Sequence, residues 1–191
     1  MLHHIDPWNT SIVLWQAICI LWIVTAVIER STPQPPDQRR DPHSYIYALC
    51  IAPAAVITFW PQTAVWPLNY PLFQSNTAGL ILVFAGAAFA GLARLALGAN
   101  WSSRARIRAE HTLSTSGPYR IVRHPIYSGL LLLYLGTAVI LGQARGYIAF
   151  AIVFITWIFK SRTEDRLLAA RFGPDFDAYR RRTKALIPFV L

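Results

Sequence analysis

Tyr119, Arg120, Arg123 and His124 stand immediately before "PIYSGLLLLYLGTAVIL", one of the most apolar runs of the chain. Gly117-Pro118 signals a turn, and Pro125 suits the first position of a helix, where its missing N–H is not needed. Free backbone N–H groups and the helix dipole at such a start favour an anion. Tyr127 follows His124 by three residues and so falls on nearly the same helix face. A second group with chemistry lies in "KSRTEDRLL", where Glu164 and Asp165 sit in a strongly basic neighbourhood. A carboxylate there can hold ribose hydroxyls or an ammonium. It can also simply pair Glu164 with Lys160 along a solvated helix face, worth about 0.3–0.5 kcal/mol.

Plainer roles compete for some of these residues. Arg120 by itself is explained by snorkelling to lipid phosphates, and a tyrosine such as Tyr127 at a membrane interface needs no special account. Anchoring does not, however, require an arginine, a histidine and a proline in that order. In the tail, Asp175 can cap a short helix after Gly173-Pro174, with Phe176 and Tyr179 on one face. Arg180, Arg181 and Arg182 read as a lipid-facing electrostatic patch. Return of "LIPFVL" to the membrane would close a cavity over both groups.

The elements that must hold these residues are membrane spans. No charged residue occurs in 7–28, 42–93, 124–144 or 146–159, and a crossing helix needs about 20 mostly apolar residues. The expected architecture is all-α and integral to the membrane, with about five spans near 10–28, 44–66, 78–97, 126–141 and 147–159. The last helix is expected to run on to Gly173-Pro174, about 40 Å from residue 146 at 1.5 Å per residue. Pro53 should kink the second span, and Ala87 and Gly91, four apart, offer a surface for close helix contact.

Of 18 lysines and arginines, only Arg145 falls on the far side of these spans. The net charge of +9 thus reports topology and contact with anionic lipid, not nucleic acid. It places the N-terminus outside and the basic tail in the cytoplasm. The first span lacks a basic n-region and reads as a retained helix, not a signal peptide. Cys19 and Cys50 read as apolar residues. No metal-ligand spacing, phosphate loop or Ser-His-Asp order occurs; His3 and His4 lie on the face opposite His124, and "NWS" at Asn100 is a chance sequon on the inner face. The chain reads as one membrane domain, with a three-helix part over 1–97 and a cofactor-binding part over 98–191.

Together, "SGPYRIVRHPIYSG", "SRTEDRLLAARFGPDFDAYRRR" and "LIPFVL" resemble the isoprenylcysteine carboxyl methyltransferase family and its prokaryotic relatives. In that family a "GPY…RHPxYxG" segment, a helical hairpin, "RTEE" and "FGxxYxxY" follow one another before a Leu-Pro; here the resemblance covers about residues 97–191. It implies S-adenosylmethionine held on the cytoplasmic side by His124, Tyr127 and Glu164, with Pro125 setting the helix start. Asp165 stands where the family has a second glutamate, and Tyr119 and Tyr179 would wall the pocket. Arg123 and His124 are the implied catalytic pair, Arg123 orienting cofactor or acceptor by charge. The partner is a lipophilic acceptor: a prenylated cysteine carboxylate in eukaryotic members, a phospholipid amine or small thiol in relatives. Membrane sterol reductases, which bind NADPH near a related Arg-His segment, are the competing enzyme class. A non-enzymatic membrane component is the remaining reading.

Overall fold

The computed structural model describes residues 6–30, 44–60, 68–97 and 113–190. Six α-helices and one short 3₁₀ turn are present among them: α1 (Pro7–Arg30), α2 (Ser44–Phe59), α3 (Asn76–Leu97), the 3₁₀ turn Gly117–Arg120, α4 (Pro125–Leu141), α5 (Ala144–Phe172) and α6 (Pro174–Arg182). α1, α3 and α5 are long and apolar enough to cross a membrane, whereas α2 and α4 are shorter apolar helices. Among the described residues the chain is an all-helical membrane protein. The loop around Arg39 and Arg40, the "NWS" at Asn100 and residues His3 and His4 lie outside the described residues.

Local signals set several boundaries. Pro125 begins α4 as expected, with His124 at the cap position. α5 runs unbroken to Phe172 and ends on Gly173, whose φ of +49° is a backbone state that favours glycine. Two boundaries differ from the sequence reading. α2 ends at Phe59, not 66; Trp60 precedes Pro61, and a residue before proline is pushed out of the helical region. The carbonyls freed at that end are taken by Arg145, whose Nη1 donates to Trp60 O at 2.7 Å and Ile57 O at 3.4 Å. Asp175 is not the cap of α6: Gly173 holds that position, and Asp175 lies in the first turn, where its charge suits the helix dipole.

α3 and α4 pack antiparallel with their backbones in contact. The face that does this is not Ala87 and Gly91 but Gly79, Gly86 and Ala90 against Gly129 and Gly136. A Cβ built on Gly86 would lie 2.3 Å from Leu133 N and 2.6 Å from Gly129 O, whereas one on Gly91 meets only Leu21 Cδ2 at 4.0 Å, on α1. Small residues drive close packing between membrane helices by letting backbones approach. Gly86→Val should therefore cost about 3 kcal/mol of unfolding free energy, the upper end for overpacking, because rigid backbone has to move. Gly91→Val should be nearly neutral. Unfolding of the two variants in detergent, side by side, checks the assignment; equal effects would refute it.

Polar contacts fix the remaining helices. Ser11 of α1 and Trp15 Nε1 reach Thr137 Oγ1 of α4 at 2.8 and 3.0 Å, and Tyr134 Oη of α4 donates to Ala54 O of α2 at 2.8 Å. At the other end of the bundle, Tyr47 Oη of α2 donates to Thr163 Oγ1 of α5 at 3.0 Å. That end also gathers the 3₁₀ turn, the start of α4, the polar part of α5 and the chain after α6.

Candidate active site

The residues 121–124 are too short to fold alone, and two distant segments hold them. The chain after α6 runs alongside, with Val122 and Lys184 forming a parallel bridge. The N–H of Arg123 donates to Lys184 O at 2.8 Å, and that of His124 to Ala185 O at 3.0 Å. Ser128 Oγ donates to Leu186 O at 2.6 Å, and Tyr179 Oη to Tyr119 O at 2.6 Å. The tail is thus a strap across the start of α4.

The second holder is the pair of carboxylates on α5. Asp165 receives Arg123 Nη2 at 2.8 Å and Nε at 3.2 Å. Arg123 Nη1 donates to the carbonyl of Thr183. Such a two-toothed contact fixes a guanidinium in orientation as well as position. His124 lies between both acids, with Nε2 2.9 Å from Asp165 Oδ1 and Nδ1 3.4 Å from Glu164 Oε2. Tyr127 Oη donates to Glu164 Oε1 at 2.6 Å. His124, Tyr127 and Trp157 form a stack with 5.6 Å between successive ring centroids. Lys160 Nζ sits over the rings of Tyr127 and Tyr47, at 5.3 and 5.7 Å. The exposed Lys160–Glu164 pair is thus corrected: Glu164 turns inward to His124 and Tyr127, leaving a fifth of its side chain accessible.

Arg123, His124, Pro125, Tyr127, Glu164 and Asp165 therefore converge, with Tyr119 and Tyr179 buried next to them. Arg120 points to solvent and stays outside the cluster. Residues not singled out by sequence also belong here: Trp157 and Lys160, the strap carbonyls, and Arg94 of α3, which is 3% exposed and acts electrostatically on Tyr119. Trp157, Lys160 and Glu164 recur at helical spacing on one face of α5, a signal present in the sequence. Among the described residues no His, Cys, Asp and Glu group could hold a metal ion.

The electrostatics give the histidine an unusual state. Burial lowers its affinity for a proton, but the hydrogen bonds that the ring donates to Asp165 and Glu164, with their charges, outweigh it and raise the His124 pKa above the ordinary 6.5. Burial likewise pushes the phenol of Tyr179 up to about 12, and that of Tyr119 higher. Each ring nitrogen of His124 thus faces a carboxylate, an arrangement that favours the protonated ring, and the neighbouring phenols of Tyr119 and Tyr179 are kept neutral.

A raised native pKa means that the protonated group stabilises the fold fully below 6.5 and that this contribution is lost as pH rises through the native value. Stability should accordingly be flat below 6.5, as far as this group is concerned, and decline as pH rises above it. In His124→Gln that decline should disappear; its persistence would assign the effect to another group.

The isoprenylcysteine carboxyl methyltransferase (ICMT) family matches residues 78–170. A probable protein-S-isoprenylcysteine O-methyltransferase of Oryza sativa is 34% identical over 151 residues, 76% of each chain. The cobalt-zinc-cadmium resistance protein CzcN of Cupriavidus metallidurans is 45% identical over 85 residues, covering 42% of this chain and 38% of that one. The structure of the eukaryotic intramembrane Ras methyltransferase ICMT superposes with a TM-score of 0.54 at 25% identity, over 78% of this chain and 54% of that one. The chain belongs to the isoprenylcysteine carboxyl methyltransferase family. It spans about half of the superposed eukaryotic chain.

Proposed function

We propose that this protein is an integral membrane methyltransferase that moves a methyl group from S-adenosylmethionine to the carboxylate of a lipophilic, isoprenylcysteine-like acceptor. The observation that carries the acceptor class is the placing of His124 between two carboxylates. Its two ring nitrogens face Asp165 and Glu164 at 2.9 and 3.4 Å, so it has no vacant position to take a proton. A thiol or amine acceptor needs a base to remove its proton. A carboxylate is deprotonated at neutral pH and needs only to be aligned.

The donor set fits the polar parts of S-adenosylmethionine: a partly open carboxylate for hydroxyls or an ammonium, and a helix start for an anionic group. When bound, that molecule supplies an activated methyl group on a sulfonium whose leaving group is a neutral thioether. The chain's own work is positional. Glu164 and Tyr127 hold the donor's polar groups, and Pro125 fixes where α4 begins. Arg123 keeps Asp165, and through it His124, in place. Arg94 and the imidazolium place positive charge near an anionic acceptor. A carboxylate acceptor would require no proton to be moved, so no residue of the site has to act as a base. Alignment and exclusion of water supply the acceleration. The reading places five spans in the bilayer, with the site at the inner, cytoplasmic edge where the basic residues cluster.

The test is calorimetric titration of S-adenosylhomocysteine and NADPH into purified protein, followed by transfer of labelled methyl to S-farnesylcysteine and to a free alkyl thiol. Binding of S-adenosylhomocysteine with transfer to the carboxylate alone supports the reading. Transfer to the thiol overturns the acceptor class, and binding of NADPH overturns the activity.

A further inference from the structure

The last residues of the chain combine two properties that no role in the site accounts for. Arg180, Arg181, Arg182 and Lys184 put four cations into five positions, all of them exposed and with no acidic residue from there to the end. Leu186 is then only 2% exposed and belongs to the same buried apolar cluster as Ala54 of α2, Leu131 and Tyr134 of α4, and Ala149, Val153 and Trp157 of α5. Beyond it the chain turns, with Val190 N–H donating to Ile187 O at 3.2 Å, and leaves Phe189 94% and Val190 72% exposed.

Depth decides what covers those side chains. Ser128, which donates to Leu186 O, and Leu131 lie about 5 and 9 Å along α4 from Pro125 at 1.5 Å per residue. Residues 187–190 therefore start from a point inside the apolar level of the helices, where the surroundings of an exposed side chain are acyl chains. The cations just before them then fall at headgroup level. Basic residues at that depth, with apolar ones below, are the pattern of an interfacial anchor.

We infer that residues 180–190 form a lipid-binding anchor, in which Ile187, Phe189 and Val190 enter the acyl region and the basic run takes the headgroups of anionic phospholipids. The same segment presents the carbonyls of Thr183, Lys184 and Ala185 that hold Arg123 and His124. Lipid contact therefore bears on the geometry of the site itself. This inference rests on the chain being a membrane protein and not on its reaction.

Two measurements test it without methyl transfer. In a Cys19→Ser, Cys50→Ala background, a spin label is placed by Val190→Cys, or by Ala170→Cys as a reference on the polar part of α5, in bilayer nanodiscs. The label at 190 should collide with oxygen in preference to a water-soluble nickel chelate, and the label at 170 should do the reverse. Separately, association of spin-labelled phosphatidylserine is compared with that of phosphatidylcholine. The protein should prefer the anionic lipid. Each of Arg180→Gln, Arg181→Gln and Lys184→Gln should lower the preference by up to about five-fold, equivalent to about 1 kcal/mol per cation near a charged surface. A water-exposed label at 190 overturns the anchor, as does one shielded from both reagents, which would mean that protein covers the tip. An unchanged lipid preference when Arg180→Gln, Arg181→Gln and Lys184→Gln are combined overturns the headgroup assignment.

Discussion

Asp165→Ala should lower the unfolding free energy by about 3–5 kcal/mol, the usual cost of removing one partner from a buried ion pair. Its carboxylate receives the Arg123 guanidinium at 2.8 Å and His124 Nε2 at 2.9 Å. The side chains of Arg123 and His124 are 8% and 6% exposed, so water does not replace what is lost. Two cations are then left facing one another beside the strap. The strap loses its grip as well, since Arg123 Nη1 reaches the carbonyl of Thr183 only while Asp165 fixes the other side of the guanidinium. Urea or thermal unfolding in detergent measures the effect. Full stability with loss of S-adenosylhomocysteine binding would instead make Asp165 a group that touches the donor.

Glu164→Gln should do the opposite. Glutamine retains an oxygen for the Tyr127 hydroxyl, now at 2.6 Å from Glu164 Oε1, and Asp165 still neutralises the imidazolium, so the fold should hold. What vanishes is the charge at the one acid of the pair that is more open, 20% accessible against 11% for Asp165. A hydrogen bond to a charged group contributes about 1.5–3 kcal/mol, so affinity for S-adenosylhomocysteine should fall by about ten- to a hundred-fold. Tyr127→Phe should bring a smaller loss, because it frees one carboxylate oxygen without removing the charge. Calorimetry on the two variants separates them. Equal and wild-type affinities would show that the carboxylate does not meet the donor. Paired with the Asp165 variant, these two outcomes would assign the neighbouring acids to different tasks, one holding the site together and the other facing the proposed ligand.

Much of this was legible where a local signal sufficed. Pro125 at the start of α4 and Gly173-Pro174 after α5 gave those boundaries, and the charge-free runs marked the apolar helices. The motif around Arg123, His124, Glu164 and Asp165 named residues that the structure does bring together. What sequence did not yield depends on partners far along the chain. Two small-residue faces are available on α3, and only the position of Gly129 and Gly136 on α4 selects Gly79 and Gly86 over Ala87 and Gly91. The direction taken by Glu164 follows from Tyr127, 37 positions away, not from Lys160 one turn before it. Nothing in "TKALIP" indicates that it lies beside residues 122–124, because a single bridge and two backbone hydrogen bonds leave no repeating pattern. The end of α2 was misplaced for the same reason. Apolar residues continue past Phe59, and the arginine that takes the terminal carbonyls comes 85 positions later.

That arginine also bears on how the protein is made. Among the described residues, Arg145 is the lone lysine or arginine at its end of the helices, and it is 2% exposed. Moving such a side chain through the middle of a bilayer costs about 2.5–3.5 kcal/mol on insertion scales. Chain order would provide for it: in the orientation proposed above, α2 is synthesised long before α5, so the carbonyls of Ile57 and Trp60 would already be across when Arg145 arrives. On that reading the α4–α5 pair would be drawn to a receptor laid down earlier in translation, with this single charge as an address for assembly.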